Sequence, residues 1–190
     1  MVRSASLAAA MLFIGLGASR AAGPDNNMAL RQLLFGRLIG PGKTHVCFQR
    51  VYDAAHLAQH PQQKLRTMNL LFTGERAFGI VPSYSLAMAA TFRDVAAPFV
   101  SSGSCQWTPD AAAAGKSVGA IRCAVAYDEV GLDVAIKDSH AVVVSIPQTA
   151  RLRGADSPAD ENYRFGADDK VFLLERTALK NCLALEGEGR

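Results

Sequence analysis

The chain has 190 residues, 49% of them hydrophobic, with 20 Lys and Arg against 17 Asp and Glu. That is enough for one domain of ordinary size. The near balance of charge, with no basic stripe interleaved with aromatics, excludes a nucleic-acid footprint.

The first residues read as a targeting segment. Arg3 supplies a positive charge, Leu7 to Ala18 is apolar or small, and Ser19 and Ala21 stand at the −3 and −1 positions of a cleavage site. This is the layout of a secretory signal peptide over residues 1–21, and the apolar run is shorter than the roughly 20 residues of a spanning helix. Cleavage would remove Arg3 and Arg20 and no acid, so the formal net charge of +3 falls by two. The expectation for residues 22–190 is a single exported domain with no membrane span, periplasmic or extracellular.

All four cysteines, 47, 105, 123 and 182, lie beyond this segment. An even count in an exported chain predicts two disulfides. Four cysteines allow three connectivities, and the favoured pairs are Cys105–Cys123, across neighbouring strands, and Cys47–Cys182, tying the first strand to the C-terminal segment. No pair has the short C-x-x-C spacing of a metal site.

Met28 to Leu38 predicts a short helix capped by Asn27 and stopped at Gly40-Pro41-Gly42. His45 to Tyr52 reads as a strand, Asp53 to His60 as a helical turn ended by Pro61, and Arg66 to Thr73 as a second strand. In that strand Met68, Leu70 and Phe72 share a face, with Leu71 the exception. Tyr84 to Arg93 alternates with the period of two that marks a half-buried strand. Further strands are expected in Ala97–Trp107, Val118–Tyr127, Leu132–Lys137, Ala141–Ile146 and Lys170–Arg176. Arg151 to Asp160 reads as a mobile loop, Asp168-Asp169 as a solvated turn, and Thr177 as the cap of a last helical turn. The fold class that follows is mainly β, a single antiparallel sandwich or closed barrel with short peripheral helices.

Chemistry concentrates in Cys47 to Gln63, CFQRVYDAAHLAQHPQQ. His56 and His60 have the i, i+4 spacing used for zinc, and Asp53 would share their helix face. Leu57 stands where a zinc protease needs glutamate, and Pro61 draws His60 out of helical register. A third ligand would have to be His45 or His140, arriving through space. Arg50 and Tyr52 share a strand face, with Asp53 the expected partner of the arginine. No nucleophile elbow and no glycine-rich phosphate loop occurs. Neither a metal nor another cofactor is therefore predicted.

The run C-F-x-R-x-Y-D-x-x-H-L-x-x-H-P-x-Q, with the later Gly166–Leu174 segment leading to Cys182, resembles small exported bacterial proteins of unassigned function. That resemblance implies export and paired cysteines and brings no activity with it. The expected function is a non-enzymatic binding or interaction module, taking a small apolar ligand or a protein partner, with Arg50, Tyr52, Asp53, His56 and His60 as candidate binding residues. The alternative is a periplasmic hydrolase, metal-assisted or not, centred on Asp53, His56 and His60.

Overall fold

The computed structural model describes residues 25–77, 82–95, 97–108, 119–124, 131–146, 151–153 and 162–187. The expected signal peptide and most of the expected loop at 151–160 lie outside them. Helix α1 spans Asp25–Phe35, starting before the expected cap at Asn27. It stops where Gly36 turns into the left-handed region at φ +72°, its N–H bonded to Gln32 O at 2.7 Å.

Eight antiparallel strands then close a barrel. They are β1 (Gly42–Val51), β2 (Leu65–Arg76), β3 (Ser83–Phe92), β4 (Phe99–Thr108), β5 (Gly119–Ala124), β6 (Gly131–Ile136), β7 (Ala141–Ser145) and β10 (Val171–Thr177). Each lies beside its sequence neighbour except at β10, which fits between β7 and β1 and seals the circle. The barrel alternative is thus the correct one of the two. A small two-stranded sheet, β8 (Arg151–Arg153) with β9 (Asn162–Arg164), replaces part of the expected loop. Helix α2 (Ala54–Gln59) links β1 to β2, and a 3₁₀ helix covers Leu179–Leu185.

The period of two becomes inside and outside. Val46, Phe48, Met68, Leu70, Phe72, Leu86, Met88, Ile121, Val134, Val142, Val144, Phe172 and Leu174 form one buried cluster. Phe48 meets Phe72 edge-on at 6.1 Å, and the Arg176 guanidinium lies 5.1 Å over Phe48. An eight-stranded barrel is just wide enough for its own side chains, and here they occupy it. Leu34, Phe35 and Ile39 join the same cluster at one end, and Phe92, Phe99, Tyr163 and Phe165 form a ring cluster at the other. The sequence exception, Leu71, is buried on the outer face, where Cys47, Ala87, Cys182 and Leu185 make a second cluster beneath the 3₁₀ helix.

Both disulfides are the favoured pairs. Cys47–Cys182 fixes the 3₁₀ helix to β1 across a separation of 135 residues, and Cys105–Cys123 joins directly opposed residues of β4 and β5. By the loop-closure model they contribute about 5 and about 3 kcal/mol. Thr177 does not cap the last helix. Ala178 holds the cap position, and the Thr177 hydroxyl accepts a bond from Asn181 Nδ2 at 2.8 Å.

Candidate functional sites at the two ends of the barrel

Strand direction sorts the chemistry into two ends. β1 leaves the barrel at Arg50 and Val51, and the chain turns at once into α2. Asp53 Oδ1 accepts from the His56 N–H at 2.7 Å and so caps the helix. That carboxylate oxygen is thereby spent on backbone, which removes it from the role of orienting the His56 imidazole. The rings of Tyr52 and His56 stack at 4.5 Å, and those of His56 and His60 at 4.4 Å. The Arg50 guanidinium lies 4.7 Å over Tyr52. Four of the five expected binding residues thus form one column, rising from the lumen at Arg50 to the exposed His60.

Arg50 Nε is buried without a hydrogen-bond partner, but most polar atoms around the column are occupied. His56 Nε2 bonds to Gln63 Oε1 at 3.1 Å, and buried Gln63 gives its amide to Leu65 O at 3.0 Å. Arg93 caps the carbonyl end of α2 through Leu57 O and His60 O at 3.0 and 2.9 Å. Asp169 corrects the sequence reading most. Expected in a solvated turn, it is 2% exposed and accepts from the N–H groups of Gly166 at 2.7 Å, Lys64 at 2.9 Å and Leu65 at 3.2 Å. Gly166 is required here, since a Cβ would collide with the Gln62 carbonyl oxygen. Nothing in the sequence reading pointed to this contact, two of whose three donors lie more than 100 residues away.

The expected third histidine ligands lie elsewhere. His45 bonds Thr73 Oγ1 at 2.9 Å on the outer face, near Glu186, and His140 sits in the β6–β7 turn at the far end. Among the described residues, no group of three His, Cys, Asp or Glu side chains is placed to hold a metal ion.

The opposite end, beneath α1, is built differently. Arg176, half-buried, bonds the carbonyl oxygens of Ser139 at 2.6 Å, Leu33 at 3.2 Å and Leu34 at 2.7 Å, so a cation secures the C-terminal carbonyls of α1. Burial lowers its pKa. Gly74 leaves room for this plug, because a Cβ there would meet Ile39 and Phe35. Beside the plug stand Arg31 of α1, Tyr84 at the start of β3 and Trp107 near the end of β4. Arg31 lies 5.5 Å over the Tyr84 ring, and Trp107 meets that ring edge-on at 5.6 Å. Phe35 lies 6.2 Å away on another side.

Among the described residues, Arg31 Nε, Tyr84 OH and Trp107 Nε1 are all buried without a hydrogen-bond partner. Tyr84 itself is only 8% exposed. The indole N–H lies near the phenol oxygen without meeting hydrogen-bond geometry. Burial raises the Tyr84 pKa, opposed by the charges of Arg31 and Arg76 and by Trp107. Native proteins seldom leave buried polar atoms unpaired, and each exception calls for an explanation. None of these three residues was singled out from sequence. They come from three separate segments, and only barrel closure brings them together.

Open clefts also lie outside the lumen. One, of about 630 Å³, runs under the 3₁₀ helix past His45, Thr73, Ser85 and Glu186. Another, of about 640 Å³, adjoins α2 along Arg66, Thr67, Arg93 and Asp94. Among the described residues, no helix is long and apolar enough to cross a membrane. No family model, curated protein or solved structure matches the chain.

Proposed function

We propose that this chain is an exported binding module, non-enzymatic, that holds a small ligand at the α1 mouth of its barrel. Two disulfides spanning all four cysteines support an oxidising compartment, in line with the signal peptide expected over residues 1–21. A lumen occupied by its own side chains counts against carriage of an apolar ligand inside, and moves the binding site to a rim. The observation that carries the choice of rim is that unpartnered buried atoms gather there, on Arg31, Tyr84 and Trp107, whereas among the described residues the α2 rim has Arg50 Nε alone. A group kept for a ligand adds nothing to the stability of the empty protein and often lowers it.

That property gives a test that needs no ligand. Tyr84→Phe removes one hydroxyl and keeps the ring. If the hydroxyl is kept for a ligand, the variant unfolds at the same or a slightly higher denaturant midpoint. A loss of about 1 kcal/mol or more, the usual contribution of a satisfied hydrogen bond, would show that the hydroxyl holds the fold and would remove the reading.

A further inference from the structure

We infer that the α1 mouth takes an organic carboxylate, a single carboxyl group carried on an apolar or aromatic body; the inference rests on the reading just given and names the ligand class. The donor set decides the sign. Arginine Nε–H and indole Nε1–H only donate, and the tyrosine hydroxyl donates readily. Three such groups around Tyr84 call for an acceptor with several lone pairs, and a carboxylate offers about four. Charge agrees. Among the described residues, the charges that bear on Tyr84 are those of Arg31 and Arg76.

The surroundings separate carboxylate from phosphate or sulfate. The walls are the rings of Tyr84, Trp107 and Phe35, and Phe35 and Tyr84 belong to the main core cluster. Arg76, the second cation, is exposed and therefore screened, which leaves one half-buried guanidinium for the ligand. One cation in an apolar frame suits a monoanion, since a dianion would lose more hydration than one arginine returns. The half-buried Arg31 and Trp107 and the exposed Arg76 put the site at the protein surface.

Trp107 is the only tryptophan of the chain, so its emission reports this site directly. The oxidised protein is titrated with octanoate, benzoate, acetate and inorganic phosphate while Trp107 fluorescence is followed, and the bound indole N–H is observed by NMR. Expected are saturable binding of octanoate or benzoate, a downfield move of the indole proton, and affinity for acetate weaker by roughly tenfold or more for want of an apolar body. Arg31→Met should weaken carboxylate binding about 30-fold and Tyr84→Phe about fivefold, as expected for hydrogen bonds to a charged group. Arg66→Gln, at the other end, should leave it unchanged.

Saturable binding of phosphate with none of carboxylate would overturn the ligand class and leave the α1 mouth as a binding site. Equal carboxylate affinity in the wild type and both mouth variants would place the binding elsewhere and overturn the inference. If no probe moves the Trp107 signals, the inference fails, and the denaturant midpoint of Tyr84→Phe then decides separately whether the mouth stands as a site. Should Arg31→Met fail to fold, Tyr84→Phe alone carries the comparison.

Discussion

The two ends of the barrel use polar side chains in opposite ways. Around α2, the carboxylates of Asp53 and Asp169, the amide of Gln63, the His56 imidazole and the Arg93 guanidinium are all committed to backbone or to one another. There polar chemistry holds the chain where the strands have ended. Around α1 the same task falls to Arg176 and to apolar packing by Leu34, Phe35 and Ile39. Among the described residues, polar atoms of Arg31, Tyr84 and Trp107 are left over there, against Arg50 Nε alone around α2. A cluster rich in histidine and aspartate is therefore bonded into the scaffold here, and a cluster with neither is the one we propose as the site.

Mutations should break that contrast in order of how many backbone groups they strand. The largest effect is expected for Asp169→Ala, which leaves the N–H groups of Gly166, Lys64 and Leu65 without their acceptor. Equilibrium denaturation should show a loss of about 4 kcal/mol. A loss under 1 kcal/mol would mean that this end is not held as described. Gly166→Ala should rank close behind, because its methyl group meets the Gln62 carbonyl.

His56→Ala should cost about 1 to 2 kcal/mol, since it frees buried Gln63 Oε1 and breaks the ring column. A binding or catalytic role at this end would instead leave stability unchanged, and chemical denaturation separates the two outcomes. At the opposite end Tyr84→Phe should be neutral or slightly stabilising. This mutation and Asp169→Ala, both at buried polar residues, should then differ by several kcal/mol, and near equality would erase the distinction between the ends.

The smallest effect is the pH dependence. The pKa values of Tyr52, Tyr84 and Tyr163 are all raised above 10.0, chiefly by burial, and at Tyr163 also by its bond to Asp94. The folded state holds these protons more tightly than the unfolded chain. Their contribution is complete below pH 10, and stability falls as pH rises above 10 towards the folded values. Thermal melts between pH 8 and pH 11 should show this decline, and it should be shallower in Tyr84→Phe and in Tyr163→Phe.

The fold was legible where local pattern suffices. The inward row from Tyr84 to Phe92 follows from alternation alone, and the two disulfides from cysteine order and spacing. Barrel against sandwich was not legible, because closure rests on β1 meeting β10, two segments with no shared turn. Leu71 broke its pattern for a reason found more than 100 residues away, in Cys182 and Leu185. The α2 cluster announced itself because its residues are contiguous and chemically conspicuous. The α1 mouth stayed hidden because each of its members has an ordinary local setting: an arginine on a short helix, a tyrosine on an inward strand row, a tryptophan near a strand end.

The nesting of the two disulfides sets a timetable. Read from the N-terminus, the cysteines emerge as 47, 105, 123 and 182, yet Cys105–Cys123 closes inside Cys47–Cys182. While synthesis has reached only Cys105, the partner at hand is Cys47. That pairing is incompatible with the barrel, since Cys47 belongs to the outer cluster and Cys105 to the inner one. The first thiol must therefore wait, reduced, until nearly the whole chain has been made, or be released from a wrong partner by thiol exchange. The clasp that holds the 3₁₀ helix to β1, beside the β1–β10 seam, is the last bond to become possible. The yield of native protein thus depends on a catalyst of disulfide exchange more than a sequential pairing of the same four cysteines would.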